Sequence, residues 1–325
     1  MTRLYPLSFR PIYKTKIWGN ERLRNLLHKD VGDLKKTGES WEISCWPGDI
    51  SIVGNGFLAG NNLQELTEVY MGDLVGDKIF EKYGDIFPIL VKFIDADDIL
   101  SVQVHPDDDM AREKHNAYGK EEMWYVMECE EDAEIIVGFK HDITREEYLR
   151  HLRNKTLRQI LNSERARPGD VYHLPPGRIH ALGAGVLVAE ISQTSDLTYR
   201  IYDWERVGPD GRGRELHTEL AVEAMDYKSY PEYKTPYTER INETTGLVSG
   251  DHFTTNLLHF DRPLSKDYYE LDSFVIYIGL EGESSLEHEN GTETIRKGET
   301  LLLPAVLKDI RLVPKEKTRL LEVYI

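Results

Sequence analysis

The stretch SVQVHPDDD, residues 101–109, combines a strand pattern with polar side chains on one face. Successive side chains of a β-strand point to opposite faces, so Ser101, Gln103 and His105 share one face, while Val102 and Val104 occupy the other. A proline and three aspartates then end the strand. The pattern predicts either a solvated face or a face directed at a polar site.

Short strands separated by turns make up most of the chain on either side of this stretch. They are rich in Val, Ile, Tyr, Trp or Phe, as in FPILVKFIDA (87–96), EMWYVMEC (122–129) and VLVAEIS (186–192). Three segments instead have helical spacing, at about 61–83, at about 144–162 and, more briefly, in HTELAVEAMDY (217–227), and Thr144 with Glu147 forms a capping-box pattern. The sequence therefore predicts a mainly β fold with inserted helices.

The character of the sequence changes from about residue 245. The charged, turn-rich stretch at 227–246 is the best candidate linker, and the strands after it have hairpin signals such as Asn290-Gly291. We expect one domain over residues 1–240, which carries the two helical insertions, and a smaller β unit over residues 241–325.

Composition limits the classes of partner. The 325 residues carry a formal net charge of −17, which disfavours nucleic acid, and no run approaches the ~18 apolar residues of a membrane span. The N-terminus has no apolar stretch typical of a secretory signal, and two cysteines cannot build a disulfide framework, so we expect a cytoplasmic protein. An anionic small substrate would require a local basic cluster.

A second motif, GDVYHLPPGRIHALGAG (169–185), places Gly169, Pro175, Gly177 and His180 at fixed spacing. Its Pro-Pro-Gly turn is rigid and would fix the direction of His180. Glu122 opens the apolar strand between this motif and the first stretch.

Together these spacings resemble the two half-motifs of the cupin superfamily, whose fold is a small β jelly roll. The resemblance implies a metal site formed by Gln103, His105, Glu122 and His180, with Gln103 where ordinary cupins have histidine. Two imidazoles, a carboxylate and an amide carbonyl suit Zn²⁺, and redox-active iron is less favoured. Taken singly, His105 could be a structural histidine and Glu122 a solvated glutamate. The occurrence of all four residues in the order typical of the family favours the metal site.

Segments along most of the chain are similar to type I mannose-6-phosphate isomerases of the short bacterial form. They are KTKIWGN (14–20), GESWEIS (38–44), FPILVKFIDA (87–96), SVQVHPDD (101–108), GKEEMW (119–124), PPGRIHALGAG (175–185) and TYRIYDWER (198–206). The resemblance implies one zinc ion per chain, interconversion of mannose 6-phosphate and fructose 6-phosphate, and charged groups around the metal at Lys120, Glu190, Asp196 and Arg200. The C-terminal part resembles a second, smaller jelly-roll unit without metal ligands.

Aldose–ketose isomerisation through a cis-enediol needs an electrophile, a base and a proton shuttle. We expect Lys120 and Glu190 to be the acid and base candidates, and Arg200 to clamp the enediolate or the phosphate. Close to zinc and Arg200, the pKa of Lys120 is expected to be lowered. Lys92 interrupts an apolar strand and therefore faces the site or extends to solvent. With Asp196 and Ser101 it forms the expected substrate-binding set.

Two alternatives remain at this point. A metal-dependent cupin oxygenase would use iron and O₂, although the usual third histidine is absent. A non-catalytic sugar-binding cupin would keep the metal for stability, although the charged set around the ligands argues against it. A monomer that acts on a small sugar phosphate is the default expectation.

Overall fold

The computed structural model describes residues 4–207 and 211–325. The first strands are β1 (Phe9–Arg10), β2 (Ile12–Asn20), β3 (Thr37–Ile43), β4 (Cys45–Trp46), β5 (Asp49–Ile50), β6 (Ile52–Val53), β7 (Ile89–Ala96), β8 (Val102–Val104), β9 (Glu122–Cys129), β10 (Glu134–Phe139), β11 (Leu161–Arg165), β12 (Val171–Leu174), β13 (His180–Leu182), β14 (Val186–Gln193) and β15 (Tyr199–Tyr202). The helices are α1 (Arg22–Asn25), α2 (Leu63–Tyr70), α3 (Gly72–Val75), α4 (Asp77–Tyr83), α5 (Asp108–His115), α6 (Arg145–Arg153) and α7 (Thr218–Ala224), with a 3₁₀ turn at Leu157–Gln159.

Nine further strands follow. They are β16 (Glu243–Ser249), β17 (Thr254–Phe260), β18 (Leu264–Asp267), β19 (Val275–Glu281), β20 (Glu283–His288), β21 (Gly291–Arg296), β22 (Thr300–Leu303), β23 (Asp309–Pro314) and β24 (Thr318–Tyr324). We propose a domain boundary at 240/241 and call the two parts the N-terminal and C-terminal units. No described helix combines the length and the apolar character needed to cross a membrane.

Two antiparallel sheets form the sandwich of the N-terminal unit. One has the strand order β11-β10-β13-β8-β15 and the other the order β12-β9-β14-β7-β2-β3. Apolar side chains on alternate positions meet between them, among them Trp124 and Val126 of β9 and Ile135 and Val137 of β10. This alternation is the reason that these segments form strands, and the mainly β, jelly-roll fold predicted from the sequence is confirmed.

The outer faces of both sheets are also covered. On the five-stranded sheet, Val102 and Val104 pack with helices α6 and α7 through Tyr148 and Val222. Helix α6 begins as its sequence predicts, since Thr144 Oγ1 accepts a hydrogen bond from the Glu147 amide at 3.1 Å. The six-stranded sheet packs outward against α2–α4 and the C-terminal unit.

The C-terminal unit is a second, smaller sandwich. Its sheets have the orders β16-β17-β24-β19-β22 and β18-β23-β20-β21. Leu258, Tyr277, Leu286 and Leu312 are buried in the core between them. The unit touches the N-terminal unit through the outer face of its five-stranded sheet, so the two units share an apolar core.

Candidate active site

Three of the predicted metal ligands meet inside the N-terminal unit. His105 follows β8 directly, Glu122 opens β9 and His180 opens β13. The Glu122 carboxylate lies between the two rings, with Oε1 3.2 Å from His180 Nε2 and Oε2 3.5 Å from His105 Nε2. Each residue is at most 2% exposed. The group has one carboxylate and two imidazoles within reach of a single cation.

Backbone carbonyls set the direction of both imidazole rings. His105 Nδ1 lies 2.7 Å from the Leu197 carbonyl oxygen, and His180 Nδ1 lies 2.8 Å from that of Arg178. A ring that donates from Nδ1 presents the lone pair of Nε2 to the interior. Both Nε2 atoms are buried without a hydrogen-bond partner among the described residues. Buried polar atoms without partners are rare, so these two fit a bound cation.

The charges of the triad also suit a metal. Burial lowers the pKa of His180 to about 3, which keeps its imidazole neutral. Burial opposes ionisation of Glu122, but Lys120 and the two histidines hold its pKa well below the ordinary value. Neutral imidazole and ionised carboxylate are the forms that bind Zn²⁺.

Gln103 lies beside this triad. In the five-stranded sheet it is directly opposite His180 on β13 and opposite Arg200 on β15. Opposed residues of antiparallel strands project to the same face, so the three side chains share a face. Ser101, which is 4% exposed, precedes β8 on the same side of the alternation.

A row of buried charges extends from the triad across the six-stranded sheet. Lys120 Nζ is 2.7 Å from Glu122 Oε2 and 3.2 Å from Glu190 Oε1. Lys92 Nζ is 3.7 Å from the same Glu190 oxygen and 2.8 Å from Asp196 Oδ1. The second Glu190 oxygen accepts a hydrogen bond from the Trp124 indole at 3.1 Å. The row reaches solvent at Asp196, whose side chain is 40% exposed.

The lowered pKa expected for Lys120 from the sequence is wrong in direction for the protein groups around this residue. Burial alone would lower it, but the carboxylates of Glu122, Glu190 and Asp196 outweigh burial and raise the pKa above the ordinary lysine value. The same applies to Lys92, where Asp196 and Glu190 overcome burial and raise the pKa. Both lysines are therefore ammonium ions that donate hydrogen bonds.

Arg200 approaches the site from the opposite sheet. Its Nη1 donates to the Glu215 carbonyl oxygen at 3.0 Å, and its Nε is buried without a hydrogen-bond partner among the described residues. Burial lowers the pKa of Arg200, and the neighbouring Arg214 and Arg206 lower it further, although all three remain cations.

Part of the polar row was not assigned from the sequence. Trp41 is 2% exposed and has Lys92 Nζ 4.2 Å from the centroid of its ring. Its indole donates to Glu39 at 2.7 Å, and Glu39 pairs with Lys16 at 2.9 Å. The alternation of Glu39 and Trp41 in GESWEIS was the available signal, because it places both on one strand face.

Comparison with known proteins agrees with this arrangement. Residues 7–141 match the family described as phosphomannose isomerase type I, catalytic domain. Mannose-6-phosphate isomerase ManA of Bacillus subtilis is 34% identical over 313 residues, which cover 94% of this chain and 95% of that protein. The chain belongs to the type I mannose-6-phosphate isomerase family.

Other members of the mannose-6-phosphate isomerase family match along nearly the same length. The enzyme of Streptococcus mutans is 34% identical over 93% of each chain. The crystal structure of the mannose 6-phosphate isomerase from Bacillus subtilis has a TM-score of 0.87 at 32% identity and covers 99% of this chain and 100% of its own. The family resemblance predicted from the sequence is confirmed, and the chain is an enzyme of the isomerase class. This favours the isomerase over the oxygenase and the non-catalytic binding module.

Proposed function

We propose that the enzyme is a zinc-dependent isomerase that interconverts mannose 6-phosphate and fructose 6-phosphate through a cis-enediol. The observation that supports this most is the pair of buried Nε2 atoms of His105 and His180, neither of which has a hydrogen-bond partner in the described part of the chain. They face one carboxylate, Glu122, next to the ammonium of Lys120. A ligand-ready cation site beside proton-carrying groups is the arrangement that this isomerisation requires.

The ligands proposed for one zinc ion per chain are Gln103, His105, Glu122 and His180. The ion, when bound in this mixed set, supplies Lewis-acid polarisation of substrate oxygens. The carbonyls of Leu197 and Arg178 hold the two imidazoles in the ligating orientation. Gln103 completes the set from the strand that lies next to His180.

Glu190 is the proposed base and Lys120 the proposed proton donor. Glu190 accepts hydrogen bonds from Lys120 and from Trp124, which hold its carboxylate in one place. A fixed carboxylate can take the proton from one carbon of the sugar and return it to the neighbouring carbon on the same face. Lys120, between two carboxylates, presents a proton to the oxygen where negative charge develops.

The open end of the charged row is the proposed place for the rest of the substrate. Asp196 and Lys92 are positioned to bind sugar hydroxyls, with Ser101 on the other sheet. Arg200 is proposed to clamp the phosphate, because its Nε has no hydrogen-bond partner in the described part of the chain and Arg214 and Arg206 are close enough to lower its pKa. Arg200, Arg206 and Arg214 are the proposed local basic cluster that a chain of net charge −17 needs for an anionic substrate.

The remaining assignments are also proposals. The cysteines Cys45 and Cys129 are free thiols, which is typical of a reducing compartment and supports a cytoplasmic location. The strong negative charge supports action on a small molecule, without nucleic-acid or membrane partners, and we propose that the enzyme acts as a monomer.

Activity before and after metal removal tests the proposal. Conversion of mannose 6-phosphate to fructose 6-phosphate is followed in a coupled assay with native, chelator-treated and zinc-reconstituted protein. We expect activity to disappear with the chelator and to return with zinc. Full activity in protein shown to be free of metal would disprove zinc dependence, and inactivity of fully zinc-loaded protein would disprove the isomerase function.

A further inference from the structure

A turn of the C-terminal unit contacts two residues that lie close in sequence to proposed metal ligands. The turn joins β16 to β17 and is closed by a hydrogen bond from the Gly250 amide to the Phe253 carbonyl oxygen at 3.0 Å. At its tip, His252 Nδ1 is 2.6 Å from Glu121 Oε2, and His252 Nε2 is 3.1 Å from Asp108 Oδ2. We call His252, Glu121 and Asp108 the histidine bridge. Both ring nitrogens of His252 face carboxylates of the N-terminal unit.

The two carboxylates lie next to proposed metal ligands in the sequence. Glu121 immediately precedes Glu122, and Asp108 comes three residues after His105. His252 therefore joins the segment that carries Glu122 to the segment that carries Gln103 and His105. β8 and β9 belong to different sheets, so no strand ladder among the described residues joins the two segments; a backbone hydrogen bond from the Lys120 amide to the Pro106 carbonyl oxygen, at 3.0 Å, also connects them.

Further hydrogen bonds stiffen the bridge within the N-terminal unit. Asp108 Oδ1 accepts from the Gly119 amide at 2.8 Å and from Gln193 Nε2 at 3.0 Å. The Glu121 amide donates to Gln193 Oε1 at 2.8 Å. These hydrogen bonds connect the loop before β9 to the start of α5. A displacement of either carboxylate would therefore also displace the backbone of these two segments.

The turn is built for this close approach. A Cβ atom at Gly250 would overlap the Glu121 carboxylate, so the turn can lie against Glu121 only with glycine there. From the other side, His173 Nε2 is 2.6 Å from Glu121 Oε1. Glu121 is 4% exposed and is held between a histidine of each unit.

We propose that His252 is a positioning residue of the active site: through Glu121 and Asp108, the C-terminal unit fixes the spacing between the segments that carry Glu122 and His105. The inference rests on the proposed metal site and gives the C-terminal unit a part in the reaction without contact with the substrate. Outer-shell partners of metal ligands typically change affinity or activity by 10–100-fold. For His252, one contact further out, we expect about tenfold weaker zinc binding and a similar fall in kcat, with little change in KM.

Zinc affinity of the apo-protein, measured by competition with a chromophoric chelator, is the principal readout, together with kcat, KM and thermal unfolding. The variants are His252→Ala, His252→Gln, which retains one donor, and Gly250→Ala, which displaces Glu121 without removing the histidine. We expect the affinity to fall in His252→Ala and Gly250→Ala and to be partly restored in His252→Gln.

Lys297→Ala is the matched control, because Lys297 pairs with Glu128 across the same interface at 3.7 Å, at the far end of β9 from Glu122. Zinc affinity in Gly250→Ala and the folded His252 variants within twofold of native would overturn the proposal, as would an equal loss in Lys297→Ala at matched thermal stability. If native protein binds zinc normally but does not isomerise the sugar phosphate, the proposed function fails, while the affinity comparison still decides the role of His252.

Discussion

Replacement of Glu190 by glutamine tests the proposed base most directly. Glutamine has nearly the same volume and can still accept a hydrogen bond from the Trp124 indole, which is 3.1 Å from the carboxylate. It cannot take up a proton from the sugar carbon. We therefore expect Glu190→Gln to lose turnover while substrate binding is largely retained.

The size of the effect follows from the role. General acid–base catalysis typically contributes 10²–10⁴-fold, which corresponds to about 2.7–5.4 kcal/mol of activation free energy. The change also removes a negative charge that lies 3.2 Å from Lys120 Nζ and 3.7 Å from Lys92 Nζ. Since both ammonium groups are buried and keep another carboxylate each, we expect the free energy of unfolding to fall by roughly 3 kcal/mol, the lower end for a broken buried pair.

The assay compares kcat and KM of zinc-loaded native enzyme and variant at a temperature where both are folded. Glu322→Gln is the matched control, because Glu322 is another buried carboxylate, 1% exposed, held by Asn256 in the C-terminal unit. We expect this control to keep native kcat. A folded Glu190→Gln enzyme with kcat within threefold of native would refute the assignment of Glu190 as the base.

Three further results are expected. Lys92→Met should lower the free energy of unfolding in urea by about 3 kcal/mol, since it leaves two carboxylates without a shared cation; no loss would contradict the pairing. Contacts with Glu121 and Asp108 raise the pKa of His252 in the folded protein. Protonated His252 therefore stabilises the fold fully at a pH below the ordinary histidine pKa of 6.5, and this stabilisation is lost as the pH rises through the pKa of the folded state. The difference in thermal unfolding temperature between the native protein and His252→Ala should therefore shrink toward alkaline pH. A difference that grows with pH would contradict this assignment. Zinc at 100 times its Kd should raise the free energy of unfolding of the apo-protein by about 2.7 kcal/mol. The same zinc concentration should raise that of His180→Ala much less, because the variant has one imidazole ligand fewer.

The sequence was informative where the determining pattern is local. Alternation along SVQVHPDDD and the rigid turn before His180 fix directions over a few residues, and the structure brings His105, Glu122 and His180 together. Despite burial, the pKa of Lys120 is raised by Glu122, two residues along the chain, and by Glu190, 70 residues later, and the second of these contacts could not be inferred in this way. The contact between Glu121 and His252 spans 131 residues. No periodic pattern connects positions so distant, and an exposed turn gives no indication of what it touches.

The C-terminal unit covers the outer face of the six-stranded sheet of the N-terminal unit. This packing also explains why β7 of that sheet is apolar on its outer face. β7 is buried along its whole length, with Lys92 on the inner face and Val91 and Phe93 on the outer face. The outer face packs with the C-terminal sheet, and Phe87, just before β7, lies 4.4 Å from Phe274 between ring centroids. An apolar outer face is stable only if it is covered, and the covering sheet also carries the turn that ends at His252. One interface therefore has two consequences: the packing that allows the outer face of β7 to be apolar also brings the turn with His252 against the segments that carry the proposed metal ligands.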